Sequence, residues 1–297
     1  MNKALVFSGV ATALITPFRQ GKIDFRSLGH IIEMQQEGGV AALVVAGTTG
    51  EAPTLTYSEH ASLISYTATR AGAYLPVIAG CGSNCTSHAV ALAKSAYESG
   101  AAALLAVTPY YNKTTPDGIV AHYTAIADAT PLPLILYNVP SRTGFNLTPA
   151  MCARLSDHPR IVAVKEASGN IAACAEIAER CGDRLTLYSG NDDMILPLLS
   201  LGGKGVISVV SNIFPAETAA LCRAYDEGRI SDAAAIQQRL LPAIRALFSH
   251  VNPIPVKSVM AAWGWCTDEF RLPLCRLKKD ELDKLIQSIN TCGITNK

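Results

Sequence analysis

The 297-residue chain is poor in charge: only 16% of its residues are Asp, Glu, Lys or Arg, and the signs nearly cancel at a formal +1. Its basic residues do not cluster, and the one short run, Arg276-Leu277-Lys278-Lys279, reads as a solvated helix entry. Binding to nucleic acid or to an anionic membrane surface, both of which need a basic patch, is therefore not expected. No uninterrupted apolar stretch reaches the ~18 residues that a membrane-spanning helix requires. No C-x-x-C pair occurs among the nine cysteines; Cys81 and Cys85 are four apart, Cys174 and Cys181 seven. Zinc-type spacing is thus missing, and neither a metal nor a cofactor is expected. An odd number of cysteines, several set among alanines and leucines, suits free thiols in a reducing compartment, hence the cytoplasm. No G-x-G-x-x-G follows the first apolar run, which counts against a dinucleotide-binding doubly wound sheet.

One stretch has two readings. Met1-Asn2-Lys3 followed by Ala4 to Ile15 has the look of a signal peptide, with one positive charge and an apolar centre. The same residues also read as a first buried strand, Gly9 to Ile15, ending at Thr16-Pro17. The strand is preferred, because no clear small-residue cleavage site follows and the cysteine usage agrees with it.

What is present is apolar and periodic. Hydrophobic residues make up 49% of the chain, enough for one barrel or two ordinary domains. Short apolar runs occur at 9–15, 41–46, 76–79, 102–107, 133–137, 161–165, 185–188 and 205–210. They are apolar on both faces, as parallel strands covered by helices are. Between them lie helix-length segments at 24–38, 57–72, 86–99, 117–129, 148–157, 170–181, 191–201 and 214–228. Asp24, Thr86 and Thr148 are candidate caps, the last followed by Pro149 at a first-turn position. Eight strand–helix repeats over residues 1–228 predict an α/β fold, a (β/α)8 TIM barrel, with a doubly wound sheet as the runner-up. Residues 229–297 carry three more helical segments, 231–249, 254–265 and 279–292, and read as a C-terminal helical appendage packed on the barrel.

In such a barrel the chemistry sits where strands end, at the carboxyl face. Lys165 closes the apolar run Ile161-Val162-Ala163-Val164, an unusual place for a lysine. Burial disfavours an ammonium and favours the neutral amine that attacks a carbonyl, so Lys165 is a candidate Schiff-base nucleophile. The bland alternative is a lysine paired with a carboxylate such as Glu166. Tyr137 ends the preceding strand and could move protons at a carbinolamine, with Thr48 and Tyr111 passing them on; any single tyrosine is more often a satisfied core residue. Gly47-Thr48-Thr49-Gly50 is a turn whose N–H groups could bind a carboxylate, although most such turns are only turns. Arg142 in the next loop is either an exposed loop arginine or a fork for a substrate carboxylate.

Gly47-Thr48-Thr49-Gly50-Glu51, Tyr137-Asn138-Val139-Pro140-Ser141-Arg142-Thr143-Gly144 and Val164-Lys165-Glu166-Ala167 stand in order with the spacing of the dihydrodipicolinate synthase family, which the chain resembles from about residue 7 to 295. The likeness includes Ser189-Gly190-Asn191-Asp192, Gly205-Val206-Ile207-Ser208 and Asn252-Pro253-Ile254-Pro255-Val256-Lys257. The resemblance implies an enzyme that condenses pyruvate with L-aspartate 4-semialdehyde in lysine and diaminopimelate synthesis. By position, Lys165 would form the imine and Tyr137 would shuttle protons. Thr48 and Tyr111 would complete the relay, Tyr111 reaching into a partner's site across a tight dimer. Backbone at Thr48 and Thr49 would hold the pyruvate carboxylate, Arg142 the semialdehyde, and Gly190 and the Ile207 carbonyl would line the pocket. Tight dimers pairing into homotetramers are the assembly it implies.

Relatives on the same fold act on sialic acid or keto-deoxy sugar acids and share the lysine and the tyrosine. Arg142 and the Tyr110-Tyr111 pair separate them from the chain. A non-catalytic sensor is the third class, disfavoured because every proposed catalytic position holds a suitable residue. A lysine-inhibition site is common in the family, and its positions here are Ala52, Tyr57, His60, Asn84, His88 and Tyr110. His60 and Asn84 fit that site, but Ala52, Tyr57 and His88 depart from it. A histidine at 88 cannot replace a carboxylate as partner for the effector ammonium, so weak or absent lysine inhibition is expected.

Overall fold

The computed structural model describes residues 3–294; Met1 and Asn2, which open the signal-peptide reading, and residues 295–297 of the predicted appendage lie outside them. Eight parallel strands close into a barrel in chain order: β1 Gly9–Ala13, β2 Ala42–Val45, β3 Val77–Gly80, β4 Ala103–Val107, β5 Leu134–Asn138, β6 Ile161–Glu166, β7 Thr186–Ser189 and β8 Gly205–Ser208. Strand β8 returns to β1, with Gly9 opposite Gly205 and Thr12 opposite Ser208. Closure excludes the doubly wound sheet. The apolar run near the start supplies β1, whose Val10 and Ala11 are fully buried.

The strands read as near-continuous apolar runs because both faces are covered. Alternate residues point inward: Ala11, Val44, Ile78, Leu105, Ile135, Ala163, Tyr188 and Ile207 pack into one inner cluster. Their neighbours, among them Val10, Leu43, Val77, Leu104, Leu136, Val164 and Val206, pack outward against the helices. At the amino-terminal end of the barrel Phe7 stacks on Tyr188 with ring centroids 4.1 Å apart, and the Tyr188 hydroxyl donates to the Phe7 carbonyl at 2.7 Å.

The barrel helices are α1 Phe25–Glu37, α2 Tyr57–Ala71, α3 Thr86–Glu98, α4 Pro116–Asp128, α5 Pro149–Leu155, α6 Ile171–Cys181, α7 Ile195–Ser200 and α8 Pro215–Asp226. Asp24 caps α1 through Ser27 N, and Thr148 caps α5 through Met151 N. Thr86 is not a cap: it is the first residue of α3, after Cys85, and its hydroxyl pairs with His122 Nδ1 at 2.9 Å. A hydroxyl with a tertiary partner has left the local cap that sequence suggests. Strand β1 is shorter than the apolar run because beyond Leu14, whose N–H still donates to Val44 O, the backbone turns to other partners, with Ile15 N donating to Asn212 Oδ1. The segment predicted as one helix over 191–201 is a 3-10 turn, Asp192–Met194, followed by α7. A two-stranded hairpin, Phe18–Arg19 with Lys22–Ile23, and a helical turn, Pro140–Thr143, had no periodicity long enough to announce them.

Helices α9 Ile230–Leu247, α10 Ile254–Ala262 and α11 Lys279–Asn290 follow, α9 packing against α8 and α11. Among the described residues no helix is long and apolar enough to cross a membrane. The tail between α10 and α11 reaches back to the barrel through Arg271, which donates to Thr54 O, to Gly21 O and to Glu59. The Arg271 hydrogen bond, helped by the backbone N–H of Thr56, holds the Glu59 carboxyl down at about 2, against partial burial that pushes it up. A carboxylate depressed from 4.5 stabilises the fold fully above that pH and loses its contribution as pH falls toward about 2. Thermal unfolding over that window should show a shallower acid dependence in Glu59→Gln than in the wild type. Equal slopes would remove Glu59 from the account.

Candidate active site

A cavity of about 600 Å³ opens at the carboxyl ends of the strands, within the range of small-molecule sites. Lys165, Tyr137, Thr48, Thr49, Arg142 and Gly190 all line it. Its lining contains two strong cations, Lys165 and Arg142, and no aspartate or glutamate.

Strand alternation aims Lys165 into this cavity. Tyr137 and Lys165 are directly opposite in the β5–β6 ladder, and Lys165 faces Tyr188 in the β6–β7 ladder, so the three share the inner face. Lys165 Nζ lies 4.3 Å from the centroid of the Tyr137 ring. Glu166, one residue on, points to the opposite face. There its carboxylate accepts from Asn138 Nδ2 at 2.9 Å and from Ser168 N at 2.6 Å. The Lys165–Glu166 pairing is therefore excluded by the period of the strand, and Lys165 is only 6% exposed without a carboxylate partner among the described residues.

The turn after β2 is built to leave two amides free. Gly50 N and Ala52 N donate to Gly47 O, and Glu51 N donates to Thr48 O. The N–H groups of Thr48 and Thr49 have no acceptor among the described residues. Successive backbone N–H groups without an internal acceptor, at the wall of a cavity, can bind an anion. Gly80 makes room behind this turn, since a Cβ there would stand 2.0 Å from the Ala46 carbonyl oxygen.

Arg142 lies within the helical turn after β5, Pro140–Thr143. Its loop is fixed by Asn138, which accepts from Leu147 N at 2.9 Å, and by Thr143, which accepts from Thr108 at 3.1 Å. Arg142 Nη2 donates to the Asn252 carbonyl at 3.2 Å, which draws the guanidinium toward the cavity rim. Gly190 comes close enough to β6 that a Cβ would meet the Ala167 Cβ at 2.6 Å.

Two of the expected site residues do not line the cavity. Ile207 is fully buried in the inner core, and Val209 is the lining residue beyond β8. Tyr111 is 91% exposed, in the left-handed region at φ 71°, and stands outside the cavity of its own chain. Of the candidate effector positions, Ala52, Tyr57, His60, His88 and Tyr110 line the same cavity, whereas Asn84 does not; its carbonyl accepts from Asn112. Burial pushes the His60 imidazole below its ordinary value, and its Nε2 is tied to Gly80 O at 2.7 Å.

Sequence reasoning gave Asn252 no role. It lines the cavity, is 6% exposed, and its Nδ2 donates to the Thr49 hydroxyl at 2.9 Å. It also left unread a second buried lysine, Lys257, paired with Glu51. The signal was available, because Lys257 stands inside Ile254-Pro255-Val256 and Val259-Met260 much as Lys165 ends its own apolar run.

The model of the dihydrodipicolinate synthetase family matches residues 6–292. A 4-hydroxy-tetrahydrodipicolinate synthase of Thermodesulfovibrio yellowstonii is 46% identical over 289 residues, covering 97% of this chain and 99% of that protein. The dihydrodipicolinate synthase of Thermotoga maritima superimposes with a TM-score of 0.95 at 39% identity, covering 97% of this chain and 99% of the other. A monomeric dihydrodipicolinate synthase variant gives the same TM-score and identity, with 98% of each chain covered. On the whole-length match of sequence and fold, the chain belongs to the dihydrodipicolinate synthetase family.

Proposed function

We propose that the chain condenses pyruvate with L-aspartate 4-semialdehyde through an imine on Lys165, giving 4-hydroxy-tetrahydrodipicolinate. The observation that carries this is a carboxylate-free cavity in which an unpaired lysine amine, two free backbone amides and one arginine converge. The Thr48 and Thr49 amides hold the pyruvate carboxylate and bring its keto carbon to the Lys165 amine, which forms the C–N bond. Loss of water gives the imine, and a proton leaves the methyl group to give an enamine. That carbon adds to the aldehyde, whose own carboxylate rests on Arg142 and whose carbonyl oxygen takes up a proton to become the hydroxyl. The amino group of the same molecule then attacks the imine carbon and expels the Lys165 amine, which closes the ring and frees the enzyme. Tyr137 moves the protons of these steps. Thr48 and Tyr111 complete the relay, Tyr111 from a second chain, since it stands outside its own cavity. The working assembly is a homotetramer of two tight dimers. Sedimentation as a monomer with full activity would end the role of Tyr111. The cytoplasm is the compartment that suits nine free cysteines.

Borohydride reduction with pyruvate, followed by peptide mass analysis, should place the adduct on Lys165. Turnover with aspartate semialdehyde, and not with N-acetylneuraminate or a keto-deoxy sugar acid, separates this activity from those of the sugar-acid relatives. Arg142→Ala should lower kcat/KM for the semialdehyde about 100-fold while changing that for pyruvate less than about threefold. Equal losses for both substrates would remove Arg142 as the semialdehyde fork.

Lysine at sub-millimolar concentration should inhibit little. An ammonium entering the lobe with His60, His88 and Tyr110 finds no carboxylate on its walls. Strong inhibition in an initial-rate assay would overturn that expectation.

A further inference from the structure

Lys257 has no part in the chemistry above, yet it is the more deeply buried of the two lysines. The side chains of Lys257 and Glu51 have no exposed surface, and Nζ donates to Oε1 at 2.7 Å. The rings of Phe18 and Phe270 cover the ammonium, with centroids at 4.3 and 5.0 Å. Taking two such charges out of water costs several kcal/mol for each, and an apolar pair of similar volume is often as stable. Stability alone is a weak reason for this pair; fixing a geometry is a better one.

The geometry it fixes belongs to the turn that carries the two free amides. Glu51 sits in the left-handed region, at φ 55° and ψ 35°, where a residue with a Cβ is strained. From that conformation its carboxylate takes Lys257 on Oε1 and the backbone N–H of Arg271 on Oε2, at 3.2 Å. Two residues earlier the Thr49 hydroxyl accepts from Asn252 Nδ2 at 2.9 Å. The C-terminal segment thus grips the turn at both Thr49 and Glu51, while the amides of Thr48 and Thr49 stay unpaired over the cavity. The same segment holds Arg142, through the Asn252 carbonyl.

We infer that Lys257, Glu51 and Asn252 are positioning residues for pyruvate: the buried ion pair and the Asn252–Thr49 hydrogen bond set the Thr48–Thr49 amides at the place where they present the keto carbon to Lys165. This rests on the Schiff-base function proposed above. The effect falls on pyruvate capture, because misplacing an anion cradle weakens engagement of the substrate before any bond forms. The chemical groups themselves, Lys165 and Tyr137, are untouched.

The test compares two variants of the full chain. Glu51→Gln with Lys257→Met removes both charges and leaves neither stranded. Thr49→Val removes the hydroxyl that receives Asn252 and keeps the backbone N–H. Each should raise the pyruvate KM, about tenfold for the double variant and about threefold for Thr49→Val. For the double variant the semialdehyde KM and kcat at saturating pyruvate should change less than about twofold, and in both variants the borohydride adduct on Lys165 should persist. A merely structural role would lower the melting temperature and leave the pyruvate KM of the folded fraction alone. A wild-type pyruvate KM in a folded double variant overturns the inference. If that variant does not fold, Thr49→Val decides by itself, and an unchanged pyruvate KM there overturns it equally. Absence of a pyruvate adduct in the wild type overturns the function as well, whereas a wild-type adduct with unshifted variants overturns the positioning role alone.

Discussion

Lys165→Ala should eliminate turnover, with kcat falling by at least about 10⁴-fold, and should abolish the pyruvate adduct trapped by borohydride. The size follows from the lining of the cavity, which among the described residues contains no second amine to take over. Lys257 is the nearest rival in burial, but its ammonium is locked to Glu51 at 2.7 Å and enclosed by Phe18 and Phe270. The variant should remain folded. Removing Lys165 breaks no direct ion pair: Glu166 is satisfied on the other face by Asn138 and Ser168, and buried Asp192, whose ionised form the Lys165 charge favours, keeps the backbone N–H groups of Val209 and Val210. Deleting a directly bonded buried partner usually costs about 3–5 kcal/mol because a charge is left alone, and Lys165 has no such partner among the described residues. A melting temperature equal to that of the wild type, or slightly above it, is therefore part of the expectation. Residual turnover within tenfold of the wild type, or an adduct at another lysine, would transfer the nucleophile elsewhere.

The two buried lysines show what sequence could and could not tell. Both lie in or beside apolar runs, and burial alone does not separate nucleophile from structural cation. For Lys165 the direction of the side chain was legible, because a strand alternates with period two and a barrel has one inner face. Glu166 had to point away once Lys165 pointed in. For Lys257 the partner is Glu51, 206 positions away in the chain. No local pattern announces such a pair. The strands of the barrel were legible for the same reason as Lys165, their two covered faces giving apolar runs that outlast noise. The hairpin at Phe18–Ile23 and the turn Pro140–Thr143 were not, since elements this short have no period. Thr86 failed as a cap because a tertiary contact, His122, claimed its hydroxyl. Tyr111 divides differently again. Its neighbours in sequence marked it as a candidate, but its own chain leaves it in solvent, and only the proposed relay sets it against a second copy.

Tyr137→Phe should cut kcat by about 10² to 10⁴-fold while sparing the imine itself. The phenyl ring can keep the face contact with Lys165, where Nζ lies 4.3 Å from the ring centroid, so the amine stays aimed at the cavity. What disappears is the hydroxyl that moves protons to and from the carbinolamine and the enamine. Each of those transfers then falls to water, in a barrel mouth where Tyr137 is 8% exposed and Lys165 only 6%. Given time, pyruvate should still be trapped on Lys165 by borohydride, at a slower rate. Removing an aromatic hydroxyl leaves the packed ring in place, so the fold should be unaffected. The comparison with Tyr111→Phe gives the result its meaning. If protons pass along a chain that begins at Tyr137, then Tyr111→Phe should also slow turnover, and the double variant should fall little below Tyr137→Phe alone, because groups that act as one unit do not add. Tyr137→Phe with kcat within a factor of about ten of the wild type would reduce the residue to a wall of the pocket.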